Sequence, residues 1–251
     1  MERTLTLGDT EVARIGLGTN RLRNTPEHVE LVRQAVAAGI GYVDTAHTYT
    51  GGESEAAIGA AAVSGVVGTK GGFAPGTGSP ERLRAQVDES LRRLRVDSIA
   101  LYYLHRVDPE TPLEESVGAL AECRDAGKLR HVGLSQVDVE QIEHARKVVP
   151  ITAVQNHYNL DERRYDDVID HCERDGIVFV PYFPLRGDGG GAVAEIAERY
   201  GVARTLVKLA WLLARSPAVL PIPGTLSLEH VRENLAALEL ELGDEELEAL
   251  R

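Results

Sequence analysis

The chain has 251 residues, of which 43% are apolar, and carries a formal net charge of −12, with a pI near 5.2. This length and apolar content suffice for one large hydrophobic core. The acidic balance argues against binding to nucleic acid or to an anionic membrane surface.

The cysteine content and the N-terminal residues indicate a cellular compartment. Cys123 and Cys172 form no C-x-x-C motif and no disulfide framework, so both are expected to be reduced thiols. Residues 1–6 lack the basic and apolar blocks of a signal peptide. No apolar run approaches the roughly 18 residues of a transmembrane helix. We therefore predict a cytoplasmic protein.

The first 39 residues predict a hairpin followed by a first strand and helix. A Gly-Asp turn between residues 3–7 and 11–15 is typical of a β-hairpin. Residues 17–20 predict the first strand of a barrel. The next helix begins at Thr25-Pro26, an N-cap followed by proline at the first helical position, and ends at Gly39.

The rest of the chain alternates between strand-like and helix-period runs. The predicted strands are 41–45, 66–70, 98–104, 130–134, 152–156, 177–182 and 218–222. The predicted helices are 54–62, 80–94, 113–126, 138–147, 163–175, 192–200, 204–214, 227–236 and 244–250. Counted from Leu17, eight strand–helix units favour a closed parallel barrel over an open doubly wound sheet. We predict an α/β fold, in which residues 1–251 form a single (β/α)8 TIM barrel domain with an N-terminal β-hairpin.

Four polar residues follow or close predicted strands: Asp44, Tyr49, Lys70 and His105. A parallel barrel gathers such positions at its C-terminal mouth. A phenol beside an ammonium group, a carboxylate and an imidazole suits the protonation of a carbonyl oxygen. Taken singly, each has a structural alternative: a loop-capping aspartate, a packed tyrosine or a satisfied histidine.

In the catalytic interpretation, Tyr49 is the proton donor. A free tyrosine has a pKa of about 10, and a nearby Lys70 ammonium favours the phenolate and lowers that value. Asp44 holds Lys70 charged and oriented, and His105 hydrogen-bonds the substrate oxygen.

Ten short stretches, in order along nearly the whole chain, resemble the aldo-keto reductase family. They are Gly-Leu-Gly-Thr at 16–19, Asp-Thr-Ala-x-x-Tyr at 44–49, Gly-Glu-Ser-Glu at 52–55, Thr-Lys-Gly-Gly at 69–72, Leu-His-Arg at 104–106, Gly-Leu-Ser at 133–135, Val-Gln-Asn at 154–156, Pro-Tyr-Phe-Pro-Leu at 181–185, and Ile-Pro-Gly-Thr at 222–225 with Glu-Asn at 233–234. The resemblance implies a nicotinamide cofactor extended across the barrel mouth. It also implies hydride transfer to the carbon of an aldehyde or ketone while Tyr49 protonates the oxygen.

The resemblance also implies contacts with the nicotinamide. Ser135 and Gln155 match positions that hydrogen-bond its carboxamide, Asp44 borders the same pocket, and Tyr182 matches the aromatic residue that stacks on the ring. Gln155 could instead be a hydrogen-bonding residue of the barrel interior, and Tyr182 plain packing. Gln136 stands where the family commonly has asparagine, which puts one carboxamide contact in doubt.

The segment before the last long helix predicts a site for the adenosine phosphate. Backbone N–H groups at a helix N-terminus suit an anion, and the hydroxyls of Thr225 and Ser227 add donors. Asn234 matches the family position that contacts adenine. His230 stands where many relatives have arginine, and Gly224 where several have lysine. We expect NADPH as the cofactor, with NADH possible.

Other residues receive provisional roles around the substrate. Asn20, Phe73 and Arg106 are expected near it, and His47 either lines its pocket or caps a loop. The run Gly187 to Gly191 fits a Rossmann-like G-x-G-x-x-A pattern but lacks the second strand that pattern requires. It is therefore interpreted as a mobile loop that folds over the pyrophosphate.

Two other functions compete with carbonyl reduction. The first is an NADPH-binding accessory or regulatory subunit with little turnover, which some relatives of the family exemplify. The second is a metal-dependent barrel hydrolase that uses Asp44, His47 and His105, although the chain has no H-x-H or H-E-x-x-H motif. The expected partner is a small carbonyl substrate, with no bound metal, no nucleic acid and no membrane, and the expected oligomeric state is a monomer.

Overall fold

The N-terminal residues form the predicted hairpin. In the computed structural model, which describes residues 2–251, β1 (Thr4–Leu7) pairs antiparallel with β2 (Thr10–Ala13). Gly8 turns the chain with a φ of +67°, a conformation that glycine adopts at little cost. Leu7 and Val12 are buried against the barrel interior.

Seven strands follow in chain order and form one parallel sheet. They are β3 (Leu17–Gly18), β4 (Tyr42–Asp44), β5 (Val66–Gly71), β6 (Ile99–Leu104), β7 (Leu129–Ser135), β8 (Ile151–Gln155) and β9 (Val178–Phe179). Neighbours in sequence are neighbours in the sheet, as expected of a (β/α)8 barrel.

The predicted eighth strand at 218–222 is an irregular segment, and that prediction is corrected. One isolated bridge pairs Val219 with Phe179 of β9. Another pairs Gly224, just beyond the segment, with Gly18 of β3. Because Pro221 and Pro223 have no amide hydrogen, the segment can only accept hydrogen bonds at those positions. They accept from the amides of Gly16 and Gly18 at 3.0 and 3.2 Å. The sheet therefore closes into a barrel, and the predicted fold is confirmed.

Ten α-helices within residues 2–251 surround or follow the sheet. They are α1 (Pro26–Ala37), α2 (Glu53–Ala61), α3 (Pro80–Leu94), α4 (Leu113–Asp125), α5 (Val139–Arg146), α6 (Asp166–Asp175), α7 (Ala192–Tyr200), α8 (Arg204–Arg215), α9 (Leu228–Ala236) and α10 (Asp244–Ala249). None of them is long and apolar enough to cross a membrane. The helix predicted from 163 begins at Asp166, because the Asp166 amide bonds the Arg163 carbonyl in a preceding turn.

Two buried tyrosines fill the barrel interior below its C-terminal mouth. Tyr42 and Tyr103 are fully buried, and their hydroxyls lie 3.0 Å apart. Glycines make room for both rings. A Cβ at Gly68 would lie 2.4 Å from the Tyr42 hydroxyl, and one at Gly133 would lie 2.5 Å from the Tyr103 ring. Two tyrosine hydroxyls thus lie below the mouth, among the aliphatic side chains of the barrel interior.

Arg14 joins the hairpin to the C-terminus of α8 and to the segment that follows it. Its buried guanidinium donates to the carbonyls of Leu213 and Ser216 at 2.9 and 2.5 Å and to that of Val219 at 3.2 Å. Burial lowers the pKa of Arg14. Cations are favoured at a helix C-terminus. The Arg14 side chain therefore stabilises the end of α8, whose last carbonyls accept its hydrogen bonds.

We expect Arg14→Met to lower the free energy of unfolding by about 3 kcal/mol, because several buried carbonyls would lose a charged donor. Urea titration followed by circular dichroism measures the change. Arg124→Met, which removes a guanidinium paired with the neighbouring Asp125 on the surface, is the matched control. A loss below about 1 kcal/mol, the usual range of a surface charge, would contradict this role for Arg14.

Candidate active site

A cavity of about 610 Å³ opens at the carboxyl ends of the strands. Its lining includes seven of the residues in the predicted catalytic and cofactor sites: Asp44, Tyr49, His105, Ser135, Gln155, Tyr182 and Gly224. Asn20, Phe73 and Arg106, which were expected near the substrate, also line it. This end of a parallel barrel is where active sites are built.

Asp44 and Lys70 form a fully buried ion pair beneath the cavity. Lys70 Nζ donates to Asp44 Oδ1 and to the Thr45 carbonyl, each at 2.6 Å. Burial lowers the pKa of Lys70, but Asp44 and Tyr49 raise it by more, so its pKa lies above the ordinary value. The ammonium therefore stays charged in the interior.

Tyr49 lies beside this ammonium group. Its backbone begins a 3-10 turn (Tyr49–Gly52) after β4, and Lys70 Nζ lies 5.1 Å from the centroid of its ring. Burial raises the pKa of Tyr49, the charge of Lys70 lowers it, and Asp44 raises it again. The net pKa is raised, so the prediction of a lowered value is corrected: Lys70 acts in the expected direction, but burial outweighs it.

His105 completes the group and is held neutral. Its ring centroid lies 6.2 Å from that of Tyr49 with the ring planes at 81°. Burial, reinforced by the charges of Lys70 and Arg106, lowers the pKa of His105 to about 2. A neutral imidazole has one donor and one acceptor nitrogen, so it can donate a hydrogen bond without carrying charge.

We expect His105 to remain neutral throughout the range in which the protein is folded. Between the lowered folded pKa and the ordinary value of about 6.5, the unfolded chain binds the extra proton. The contribution of His105 to stability is therefore lost as the pH falls below about 6.5. Imidazole ¹⁵N NMR, with the signal assigned through His105→Gln, measures its protonation; a midpoint near pH 6 would contradict this burial.

Asp44 is held by two further donors. Gln155 Nε2 and the Tyr42 hydroxyl donate to its Oδ2 at 2.7 and 3.0 Å. Sequence reasoning missed Tyr42, although a signal was present: it lies two residues before Asp44 on β4, and alternate strand residues face the same side. With Lys70, these contacts give the carboxylate a single orientation.

A second network supports the loop that carries Tyr49, and of its members only His47 had a predicted role. Arg93 donates to the fully buried Glu55, to the His47 carbonyl and to Glu89. Glu55 also accepts from Thr69, the neighbour of Lys70, at 2.6 Å. Only the motif at 52–55 pointed to Glu55, because its partner Arg93 comes from the distant helix α3.

His47 belongs to this network. Its Nε2 lies 2.7 Å from Glu89, and it is absent from the cavity lining. Of its two predicted roles, the contacts match the structural one. Within residues 2–251, the group whose possible ligand atoms all lie within 4.8 Å of one another is instead Glu143, His171 and Asp175. The trio proposed for a hydrolase is therefore not assembled.

The residues predicted to hold the nicotinamide lie together. Ser135 and Gln155 end β7 and β8 and are register partners, and both are buried at the cavity. Tyr182 lines the cavity and stacks on His157, with centroids 5.1 Å apart and planes 8° apart. Next to Ser135, the buried Gln136 Nε2 has no hydrogen-bond partner within residues 2–251.

This arrangement fits a carboxamide-bearing ring. Ser135 and Gln155 present a hydroxyl and a side-chain amide to the cavity, and a carboxamide can exchange hydrogen bonds with both. Tyr182 offers an aromatic face already supported from behind by His157. Asn156, in contrast, bonds both the amide and the carbonyl of Val137 and is structural.

The residues predicted to hold the phosphate surround the start of α9. Ser227 caps the helix by accepting from the His230 amide at 3.5 Å. Thr225 accepts from the Ser227 amide at 3.0 Å, and its hydroxyl lies 3.2 Å from His230 Nδ1. Both side chains are thus engaged in shaping the turn.

Gly224 and Asn234 bracket this turn. Gly224 lines the cavity and packs against Gly18. A Cβ added to Gly18 would lie 2.7 Å from the Ile222 carbonyl. Asn234 is buried on α9. Gly224 alone of the five residues predicted to hold the adenosine half of the cofactor borders the cavity; the other four lie beyond its edge.

The glycine run forms a turn beside the mouth. Asp188 accepts from the Gly190 amide at 3.1 Å, and Gly187 packs against Asp161. The preceding residues Leu185 and Arg186 line the cavity. Closure of this run over a pyrophosphate remains a prediction.

Comparisons with known proteins agree with this geometry. A sequence profile of the aldo/keto reductase family matches residues 14–192 and 188–251. Pyridoxine 4-dehydrogenase of Escherichia coli K12 is 35% identical over 276 positions, covering 98% of this chain and 96% of that protein. A thermostable aldo-keto reductase solved with the inhibitor epalrestat superimposes with a TM-score of 0.90 at 33% identity, covering 98% of both chains. An aldo-keto reductase of Klebsiella pneumoniae in complex with NADPH superimposes with a TM-score of 0.89 at 28% identity, covering 100% of this chain and 94% of that one.

Proposed function

The chain belongs to the aldo/keto reductase family, and on this premise we propose that it reduces an aldehyde or ketone to the alcohol with Tyr49 as the proton donor. NADPH, when bound, supplies the hydride that the carbonyl carbon accepts. One observation carries the assignment of Tyr49. Its phenol faces the cavity beside the Lys70 ammonium, which Asp44 fixes at 2.6 Å.

The site residues divide the chemistry between them. Neutral His105 hydrogen-bonds the substrate oxygen and places it near Tyr49. As negative charge develops on that oxygen, Tyr49 gives up its proton, and the nearby Lys70 ammonium stabilises the resulting phenolate. Asp44 acts as a positioning residue, because it holds Lys70 and does not border the transferred proton.

The raised pKa of Tyr49 favours reduction near neutral pH. The phenol is fully protonated there and can act as an acid. The reverse reaction needs the phenolate as a base, which burial disfavours. Alcohol oxidation by the same site therefore requires a higher pH than carbonyl reduction.

The cofactor site is assigned to the residues that the sequence indicated. Ser135 and Gln155 would hold the carboxamide, and Tyr182 would stack on the ring. Gly224, Thr225, Ser227, His230 and Asn234 would hold the adenosine half. The alternative of an accessory subunit with little turnover is not favoured, because the acid, its cation and the orienting groups are all assembled.

The test is a screen of aldehydes and ketones that follows consumption of NADPH, repeated with NADH. Turnover of at least some carbonyl compounds with NADPH supports the proposal. Tight binding of NADPH without turnover of any of them would overturn it and favour the accessory role. Turnover that is lost with a chelator but independent of NADPH would revive the hydrolase.

We also propose that residues 1–251 act as one domain, as a monomer, in the cytoplasm. The closed sheet supports a single barrel. Cys123 and Cys172 are buried free thiols, which is common in reducing compartments. Light scattering on the purified protein tests the monomer.

A further inference from the structure

Three arginines line the cavity: Arg21, Arg106 and Arg186. Within residues 2–251, none of the three forms an ion pair with a carboxylate, whereas arginines such as Arg84 and Arg215 do. The carboxylate that lines the cavity, Asp44, is already neutralised by Lys70. In a chain of net charge −12, the cavity mouth is thus a local cationic region.

The order of the strands separates these arginines. Arg21 follows β3 and Arg186 follows β9, so both lie beside the segment that ends at Gly224. Arg21 also donates to the Gly224 carbonyl at 3.3 Å. Arg106 follows β6, the fourth strand, which lies across an eight-membered ring from that segment. Arg106 is therefore on the far side of the mouth from the predicted phosphate site.

The neighbours of Arg106 belong to the substrate half of the cavity. Its guanidinium carbon lies 5.9 Å from the centroid of Phe73. That ring in turn lies 4.8 Å from the ring of His105, and Phe73 is 49% exposed. The guanidinium is therefore within the range of a cation–π contact with Phe73. The planar donors of Arg106 thus lie beside the residue that binds the substrate oxygen.

We propose that Arg106 binds an anionic group of the substrate, so that the enzyme prefers aldehydes or ketones that carry a carboxylate or a phosphate ester. This inference rests on the proposed function. A guanidinium pairs with either oxyanion through two parallel hydrogen bonds. Phe73 and Arg106 together select for the anion, while Tyr49 and His105 act on the carbonyl.

Matched substrate pairs test this proposal with NADPH as the reductant. The carboxylate pairs are 4-oxobutanoate with its methyl ester, and 4-carboxybenzaldehyde with its methyl ester. The phosphate pair is glyceraldehyde 3-phosphate with glyceraldehyde. For at least one pair, we expect kcat/KM to be about 10-fold or more higher for the anion, as for a hydrogen bond to a charged group. The pair that shows the preference identifies the anion.

Variants assign the preference to the guanidinium. We expect Arg106→Met to lower the anion-to-neutral ratio by about 10-fold or more, mainly through KM, and Arg106→Lys to give an intermediate ratio because it keeps the charge without the planar donors. Arg124→Met removes the same charge from the outer helix α4 and should keep the wild-type ratio. Added salt should lower the ratio in the wild type.

The outcomes distinguish failure of this inference from failure of the proposed function. Equal kcat/KM for both members of every pair would overturn the anion preference while leaving carbonyl reduction intact. A preference that survives in Arg106→Met would also overturn it. Failure to reduce these pairs and every other carbonyl compound of the screen, with NADPH bound, would overturn the proposed function and the inference together.

Discussion

Replacing Tyr49 with phenylalanine is expected to lower kcat by about 10²–10⁴-fold, the usual contribution of a positioned general acid. The substitution removes one hydroxyl and keeps the ring that lines the cavity. Because Tyr49 is the proton donor and not a predicted cofactor contact, the dissociation constant for NADPH should change little. Steady-state kinetics with a good aldehyde substrate, together with a fluorescence titration with NADPH, measure both quantities.

A control variant distinguishes loss of the catalytic hydroxyl from the general effect of removing a tyrosine hydroxyl. Tyr200→Phe removes a hydroxyl from a partly exposed tyrosine on α7 and should retain wild-type kinetics. If Tyr49→Phe keeps activity within a few-fold of the wild type, another group donates the proton. The paired arrangement of Tyr49 and Lys70 would then have a structural purpose only.

Replacing Lys70 with methionine is expected to lower kcat by about as much as Tyr49→Phe does. It should also shift the dependence of kcat/KM on pH. Reduction needs protonated Tyr49, so activity falls as the pH rises through the pKa of that phenol. Lys70 opposes the effect of burial and lowers this pKa. Without the ammonium, the pKa of Tyr49 rises further, and the high-pH limb moves to a higher pH. A profile of kcat/KM against pH measures the shift.

Loss of Lys70 also leaves Asp44 without its buried counter-charge. Removing one partner of a buried ion pair typically costs about 3–5 kcal/mol of stability, so a fall in activity could reflect unfolding. The double variant Asp44→Asn with Lys70→Met removes both charges and should recover much of that stability without recovering activity. Lys147→Met, at the exposed end of α5, is the matched control. Because Asp44 itself raises the pKa of Tyr49, the shift is measured in the single variant Lys70→Met, where an unmoved high-pH limb would contradict the coupling of Lys70 to Tyr49.

The sequence predicted the elements well, because each boundary has a local cause. Thr25-Pro26 begins helix α1, and Pro80 begins helix α3, where expected. The largest departure, at 218–222, also has a local cause that the apolar pattern concealed. Two prolines deprive that segment of donors, so it closes the barrel through isolated bridges and not through a regular strand.

The candidate site was predicted in composition but not in its supporting contacts. The residues at strand ends converge because a parallel barrel brings its carboxyl ends to one mouth. Glu55 and Arg93, which support the loop of Tyr49, are 38 residues apart. A hydrogen bond between such distant residues leaves no periodic signal in the chain.

By itself, the order of residues along this chain determined which side chains reach the mouth of the barrel, since alternation and strand ends are local properties. Only the tertiary structure decided how those side chains titrate and which of them remain without partners. The raised pKa of Tyr49, the neutral His105 and the unpaired Arg106 all depend on what surrounds each group in space. Burial and charge act through distance, and distance between remote residues exists only once the barrel has closed.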